Sequence, residues 1–82
     1  MSEQNQGYEI IAAETYATEN TGRQHQIVLG RMETKYGTTY VTWESSAMEN
    51  SEYADYFWGH YHDTEKAARI DYHRRLLSHY ER

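Results

Sequence analysis

The hydrophobic pattern of this chain changes period once, at Asp63, and that change limits the fold to a sheet followed by a helix. Ahead of it, β-branched and aromatic residues alternate with polar ones in short runs separated by turn formers. Behind it, Thr64–Glu81 contains neither Gly nor Pro, and Ala68, Tyr72, Leu76 and Tyr80 fall on one i, i+4 row with Ile70, His73 and Leu77 beside it. Asp71, Arg74, Arg75 and Ser78 fall opposite. Asp63 is the expected N-cap, with Glu65 in the first turn where the helix dipole favours an acid.

Four strands are expected before the helix. Thr38–Ser45 (TTYVTWES) is the clearest, with Thr39, Val41 and Trp43 on one face and Tyr40, Thr42 and Glu44 on the other. Gln24–Glu33 carries Ile27, Val28 and Leu29, and Gly30 within it signals a bulge or a close-packed ring. Tyr53–Tyr61 places Tyr53, Phe57 and Tyr61 on one face and Tyr56, Trp58 and His60 on the other. Tyr8–Ala17 reads as a strand with Ile10 and Ala12 on one face and Ile11 and Ala13 on the other, although its Ala and Glu also suit a short helix. The polar connections Thr18–Arg23, Thr34–Gly37 and Ser46–Glu52 favour an up-and-down antiparallel meander. The predicted architecture is therefore α+β: a polar leader over Met1–Gly7, expected to be disordered, then a single ββββα domain over 8–82 with the helix on one sheet face.

Eighty-two residues support one core, and a chain of that length buries only about 60–65% of the surface its unfolded form exposes. With no cysteine, the chain has no disulfide, thiolate metal site or thiol nucleophile. No apolar run approaches a membrane span and the first residues carry no apolar signal segment, so the expected location is the cytosol.

Aromatic residues replace the usual aliphatic core: nine Tyr, two Trp and one Phe. That is more ring than a small core holds, and Tyr, Trp and Arg are the types favoured at binding hot spots. One helix covers one side of a sheet, so the other side is solvated, partner-covered or paired in a homodimer. Two registers fit the pattern. One leaves Tyr40, Tyr56 and Trp58 on the open side; the other puts Trp58 under the helix and leaves Trp43 and Phe57 outside. Charge is equally uneven: residues 1–65 carry −8 and residues 66–82 carry +3, a division hidden by the net −5.

Few residues suggest catalysis. Ser45, Ser46 and Ser51 lie outside any nucleophile-elbow pattern, there is no Gly-rich phosphate loop, and the acids are scattered. His60 and His62 point the same way on a strand, and Asp63 follows as a third donor of the kind zinc or manganese accepts. His25, His73 and His79 add no metal-site spacing, however. His60 is expected to pack among rings in the sheet and His62 to lie at the strand end, with Asp63 capping the helix; no metal, cofactor or enzymatic activity is expected. Glu44, Glu49, Glu52 and Asp55 instead gather around one hairpin with Tyr53, Tyr56 and Trp58, a set suited to occupying a basic groove built for a phosphate backbone. The alternative is an accessory nucleic-acid binder using Arg69, Arg74 and Arg75, with the remaining −8 opposing a polyanion.

Three segments taken together, YVTWE (Tyr40–Glu44), FWGHY (Phe57–Tyr61) and AARIDYHRR (Ala67–Arg75), resemble small proteins carried by phages and mobile elements of Gram-positive bacteria. Those proteins share a YVTW strand, a WGHY strand and an A-x-x-D-[FY]-x-x-R helix. The resemblance runs from Tyr40 to Arg75 and departs from the pattern at His62 and Asp63, where an aromatic and a polar residue are usual. Similar phage products include anti-CRISPR and other anti-defence inhibitors that bind host nucleases stoichiometrically. The resemblance thus implies a small acidic protein that inhibits or modulates a host protein or ribonucleoprotein nuclease by direct contact, without membrane association or direct nucleic-acid binding.

Overall fold

The computed structural model describes residues 4–5, 7–48 and 54–81. Five strands and one helix follow in chain order: β1 (Gln4–Asn5), β2 (Tyr8–Thr18), β3 (Arg23–Thr34), β4 (Gly37–Met48), β5 (Asp55–His62) and α1 (Glu65–Tyr80). The sheet order is β1-β2-β3-β4-β5 and every pairing is antiparallel. Four long strands thus form the expected meander, with the helix C-terminal to it. Gln4 and Asn5, within the segment read as a leader, add a two-residue strand on the β2 edge.

Turn chemistry sets the central hairpin. The Thr34 hydroxyl accepts from the Tyr36 N–H (3.1 Å) and donates to the Gly37 carbonyl (3.0 Å). Gly37 takes φ 129°, a value that side-chain-bearing residues rarely adopt. The β3–β4 register then runs without interruption from Thr34↔Gly37 to Arg23↔Met48. Period two puts Ile27, Leu29, Tyr40, Thr42 and Glu44 on one face and Val28, Gly30, Val41 and Trp43 on the other.

Outer strands depart from strict alternation. β2 has register breaks between Ile10 and Ala12 and between Thr15 and Ala17, which make Ile11 and Tyr16 the extra residues. Ile10 therefore packs on the face away from α1, whereas Ile11, Ala12 and Tyr16 all join the helix-side core. The expected separation of Ile11 from Ala12 fails here because a bulge shifts the phase of everything beyond it.

Each face has its own core. On the helix side, Ala68, Tyr72 and Leu76 pack on Ile27, Leu29 and Tyr40. On the other, Tyr8, Val28, Val41 and Trp43 pack together, with Ile10, Met32 and Tyr56 against them. No helix covers this second group, yet Trp43 is only 3% exposed. Its ring lies over Gly30 and Gly59, where an added Cβ would come within 2.9 Å of it. Tyr8 (5.5 Å between centroids, 90° between planes) and Tyr56 (5.6 Å, 66°) close its flanks. Two glycines and two rings thus shelter Trp43 within the monomer.

Neither sequence-based register survives intact. Tyr40 lies under the helix, not on the open side. Trp43 does face away from α1 but is covered by its neighbours. A third bulge explains Trp58: β5 pairs Thr42↔His60 and Glu44↔Phe57, so Trp58 and Gly59 together oppose Trp43. Trp58 takes φ 56° there and stands 68% exposed.

The helix begins one residue later than expected. Thr64, not Asp63, is the N-cap: it keeps an extended backbone (φ −128°, ψ 150°) and its hydroxyl accepts from the Ala67 N–H at 3.1 Å. Ala68, Tyr72 and Leu76 of the expected apolar row are buried, while Tyr80, Ile70 and Leu77 remain largely exposed. None of the helices among the described residues is long and apolar enough to cross a membrane.

Candidate functional site

Half of the helix–sheet interface is polar. Asp71, Arg75 and His79 recur at i, i+4, i+8 on α1, beside the apolar row and facing the same sheet. Beneath them are two i, i+2 pairs, Thr42 and Glu44 on β4 and His60 and His62 on β5, which period two turns to the helix side.

These side chains form one connected network. The Thr42 hydroxyl, fully buried, donates to Asp71 Oδ2 at 2.6 Å. The same carboxylate oxygen meets His60 Nδ1 at 3.0 Å and His62 Nε2 at 3.3 Å. Arg75 Nη1 donates to the Thr42 carbonyl and hydroxyl, each at 3.1 Å, and Arg75 Nη2 lies 3.5 Å from Glu44 Oε2. Glu44 Oε1 accepts from the Tyr16 hydroxyl at 3.1 Å and lies 3.1 Å from His79 Nε2. Tyr16 and His79 stack with centroids 3.8 Å apart and planes 8° from parallel. Burial pushes the Asp71 carboxyl up, but the Thr42, His60 and His62 contacts outweigh it and hold the group below its ordinary value.

Placement of the sequence-predicted residues divides them. Glu44 is a correction: it does not project from the hairpin but turns under α1, where Arg75, His79 and Tyr16 engage it. Its parity on β4 already put it on the face opposite Trp43, the face that the helix covers. Asp55 is exposed at the start of β5, and Tyr56 is half-buried against Trp43. Trp58 is exposed. Glu49, Glu52 and Tyr53 lie outside the described residues.

The arginines form no common positive face. Arg69 sits in the salt bridge with Glu65 at 2.8 Å, one turn back on its own helix and not under the sheet. Arg75 is 10% exposed and committed to Thr42 and Glu44. Arg74 alone of the three is exposed without a carboxylate partner among the described residues. His60 and His62 do point the same way, but the carboxylate between them is Asp71 on α1 instead of Asp63. Among the described residues no group of three His, Asp or Glu is arranged to hold a metal ion.

Sequence reasoning placed Asp71 and Arg75 on the solvent side of the helix and gave His79 no role. The available signal was the i, i+4, i+8 spacing of one acid and two basic residues directly beside the apolar row. Helical-wheel reading scores such residues as solvent-facing because they are polar, and misses a sheet that offers them partners.

Between α1 and the sheet a cleft of 490 Å³ is lined by Trp58 and His60 of β5, by Arg74, Arg75 and Ser78 of α1, and by the acids Glu44 and Asp71. Phe57 meets Trp58 edge to face at 5.2 Å (73°), so the two rings form one apolar rim. Compared with known proteins, the chain matches no family model, no curated sequence and no solved structure.

Proposed function

We propose that this chain is a non-catalytic binding protein that inhibits or modulates a host nucleic-acid-processing complex by stoichiometric contact, and that it docks through β5. The observation that carries the reading is Trp58. A bulky residue at φ 56° is unusual, and it costs about 1–2 kcal/mol to hold an L-residue there. That cost supports a large ring held out of the core, 68% exposed, on the last strand of the sheet. Phe57 and Tyr61, also exposed, extend the same strand's apolar surface.

Negative charge completes the docking surface. Asp55 opens β5, and Glu49 and Glu52 precede it in the chain, a spacing suited to a basic groove shaped for phosphates. Glu44 contributes nothing to that surface, because its charge is spent on Arg75 and His79. The same inward commitment of Arg75, with Arg69 held by Glu65, disfavours the helix as a nucleic-acid surface.

The test is affinity capture from the cells in which the protein acts, comparing the native chain with Trp58→Ala and with Tyr36→Ala. Tyr36 is 88% exposed at the β3–β4 turn, against 68% for Trp58, and serves as an accessible ring elsewhere. A nuclease or helicase component retained by the native chain and by Tyr36→Ala, but lost with Trp58→Ala, is the expected result. Equal recovery on all three, or capture of components unrelated to nucleic acid, overturns the proposal.

A further inference from the structure

The cleft between α1 and β5 has the size of a small-molecule site: 490 Å³, within the range of about 300–1,000 Å³ over which such pockets fall. Its chemistry is asymmetric. The two acids in its lining are already engaged, Asp71 by Thr42, His60 and His62, and Glu44 by Arg75, His79 and Tyr16. The helix wall instead presents Arg74, without a carboxylate partner among the described residues, and one turn on, the hydroxyl of Ser78. Across from them is the exposed ring of Trp58. The β5 side therefore offers a π surface, and the helix side a guanidinium without a carboxylate partner among the described residues, with a hydroxyl beside it.

A ligand that satisfies both walls has a planar ring and an anionic group with several acceptor oxygens. Guanidinium and hydroxyl donors together suit phosphate oxygens, and a tryptophan face suits a base. We propose that this cleft binds a mononucleotide, its base stacked on Trp58 and its phosphate held by Arg74 and Ser78. A polynucleotide fits less well: its charge would run past the cleft onto a sheet half carrying −8 over residues 1–65. A single phosphate stays beside the basic half of the helix. The inference goes beyond the docking reading and needs no protein partner, although both use the exposed ring of Trp58.

Tryptophan fluorescence reads the site directly, because Trp43 is 3% exposed and Trp58 68%. Adenosine 5′-monophosphate is titrated into the native chain, with adenosine and inorganic phosphate as the two half-ligands. Saturable quenching by the nucleotide is expected, with adenosine weaker by about tenfold or more, the loss that follows from removing one charge-assisted hydrogen bond. Arg74→Ala should bring the nucleotide down to the affinity of adenosine and leave adenosine itself unchanged, while Arg74→Lys retains part of the difference. Arg74 is exposed, and circular dichroism of both variants verifies the fold. Equal binding of nucleotide and adenosine, an Arg74→Ala variant with native affinity, or binding of an oligothymidylate but not of the mononucleotide would each overturn the assignment.

Discussion

Thr42 stands between an acid and a base with no solvent contact: its hydroxyl donates to Asp71 and accepts from Arg75. A threonine at this position links the two halves of the network, and valine has the same shape without the hydroxyl. Thr42→Val should therefore destabilise the fold by about 1–3 kcal/mol, the cost of leaving largely buried polar groups short of a partner. Urea unfolding at neutral pH measures it. Asp71 adds a pH dependence of defined sign. Its carboxyl is held below the ordinary value in the folded state, so it contributes stability above the unfolded carboxyl pKa of about 3.9. That contribution is lost as the pH falls through the lower folded value. The stability difference between the native chain and Asp71→Asn should accordingly shrink as the pH falls below about 4. A difference that grows as the pH falls below about 4 would contradict the assignment. At Gly30 the constraint is steric. An added Cβ meets the Trp43 ring at 2.9 Å, Tyr8 Cβ at 3.0 Å and Val41 Cγ1 at 3.3 Å. Tyr8 Cβ is tied to the backbone and has little room to yield. Gly30→Ala is expected to cost about 1–3 kcal/mol through overpacking, with a shift in the Trp43 emission.

At the scale of elements, the two periodicities were enough to order the strands and the helix, because β3, β4 and α1 obey period two and 3.6 over most of their length. Legibility failed wherever a single inserted residue changed phase. Ile11 and Tyr16 in β2 and Trp58 in β5 each break alternation, and nothing in the residue types marks them: the bulges follow from what the neighbouring strand and helix need to pack. The candidate site was less legible still. Trp58 stood out as a ring, but its exposure depends on that bulge. Asp71 and Arg75 looked solvent-facing because their partners, Thr42, Glu44, His60 and His62, come from strands nine or more residues away in sequence. The β5 bulge also makes stability separable from the proposed docking role. Glycine adopts φ 56° without steric penalty, and a ring that is 68% exposed gives up little burial on removal. Trp58→Gly should thus leave the fold as stable as the native chain or more stable by up to about 1 kcal/mol, while abolishing partner capture. A thermal melt alongside the capture experiment decides this. A large loss of stability would make Trp58 a structural residue.

Across the whole molecule, charge and apolar surface are distributed by different rules. Residues 1–65 carry −8 and residues 66–82 carry +3, yet the cross-element pairs that join the halves use few of these charges: Glu44 with Arg75 and His79, and Asp71 with two histidines. Asp55 has no part in that network and stays at the surface near Trp58. In the proposed docking role, long-range attraction between this acidic half and a basic partner would raise the association rate and fall with ionic strength, whereas a Trp58 contact would act at short range and resist salt. The two contributions are separable. Reversing Glu49, Glu52 and Asp55 to lysine should slow association with the captured partner by about tenfold or more at low salt and flatten its salt dependence, with dissociation little changed. Trp58→Ala should do the opposite, raising the dissociation rate at every ionic strength. Surface-plasmon measurements from about 50 to 500 mM salt distinguish them, a range over which screening shortens from well above to well below 10 Å. If the triple reversal leaves the association rate and its salt slope untouched, the acidic half of the chain serves solubility alone, and the docking surface reduces to the aromatic edge of β5.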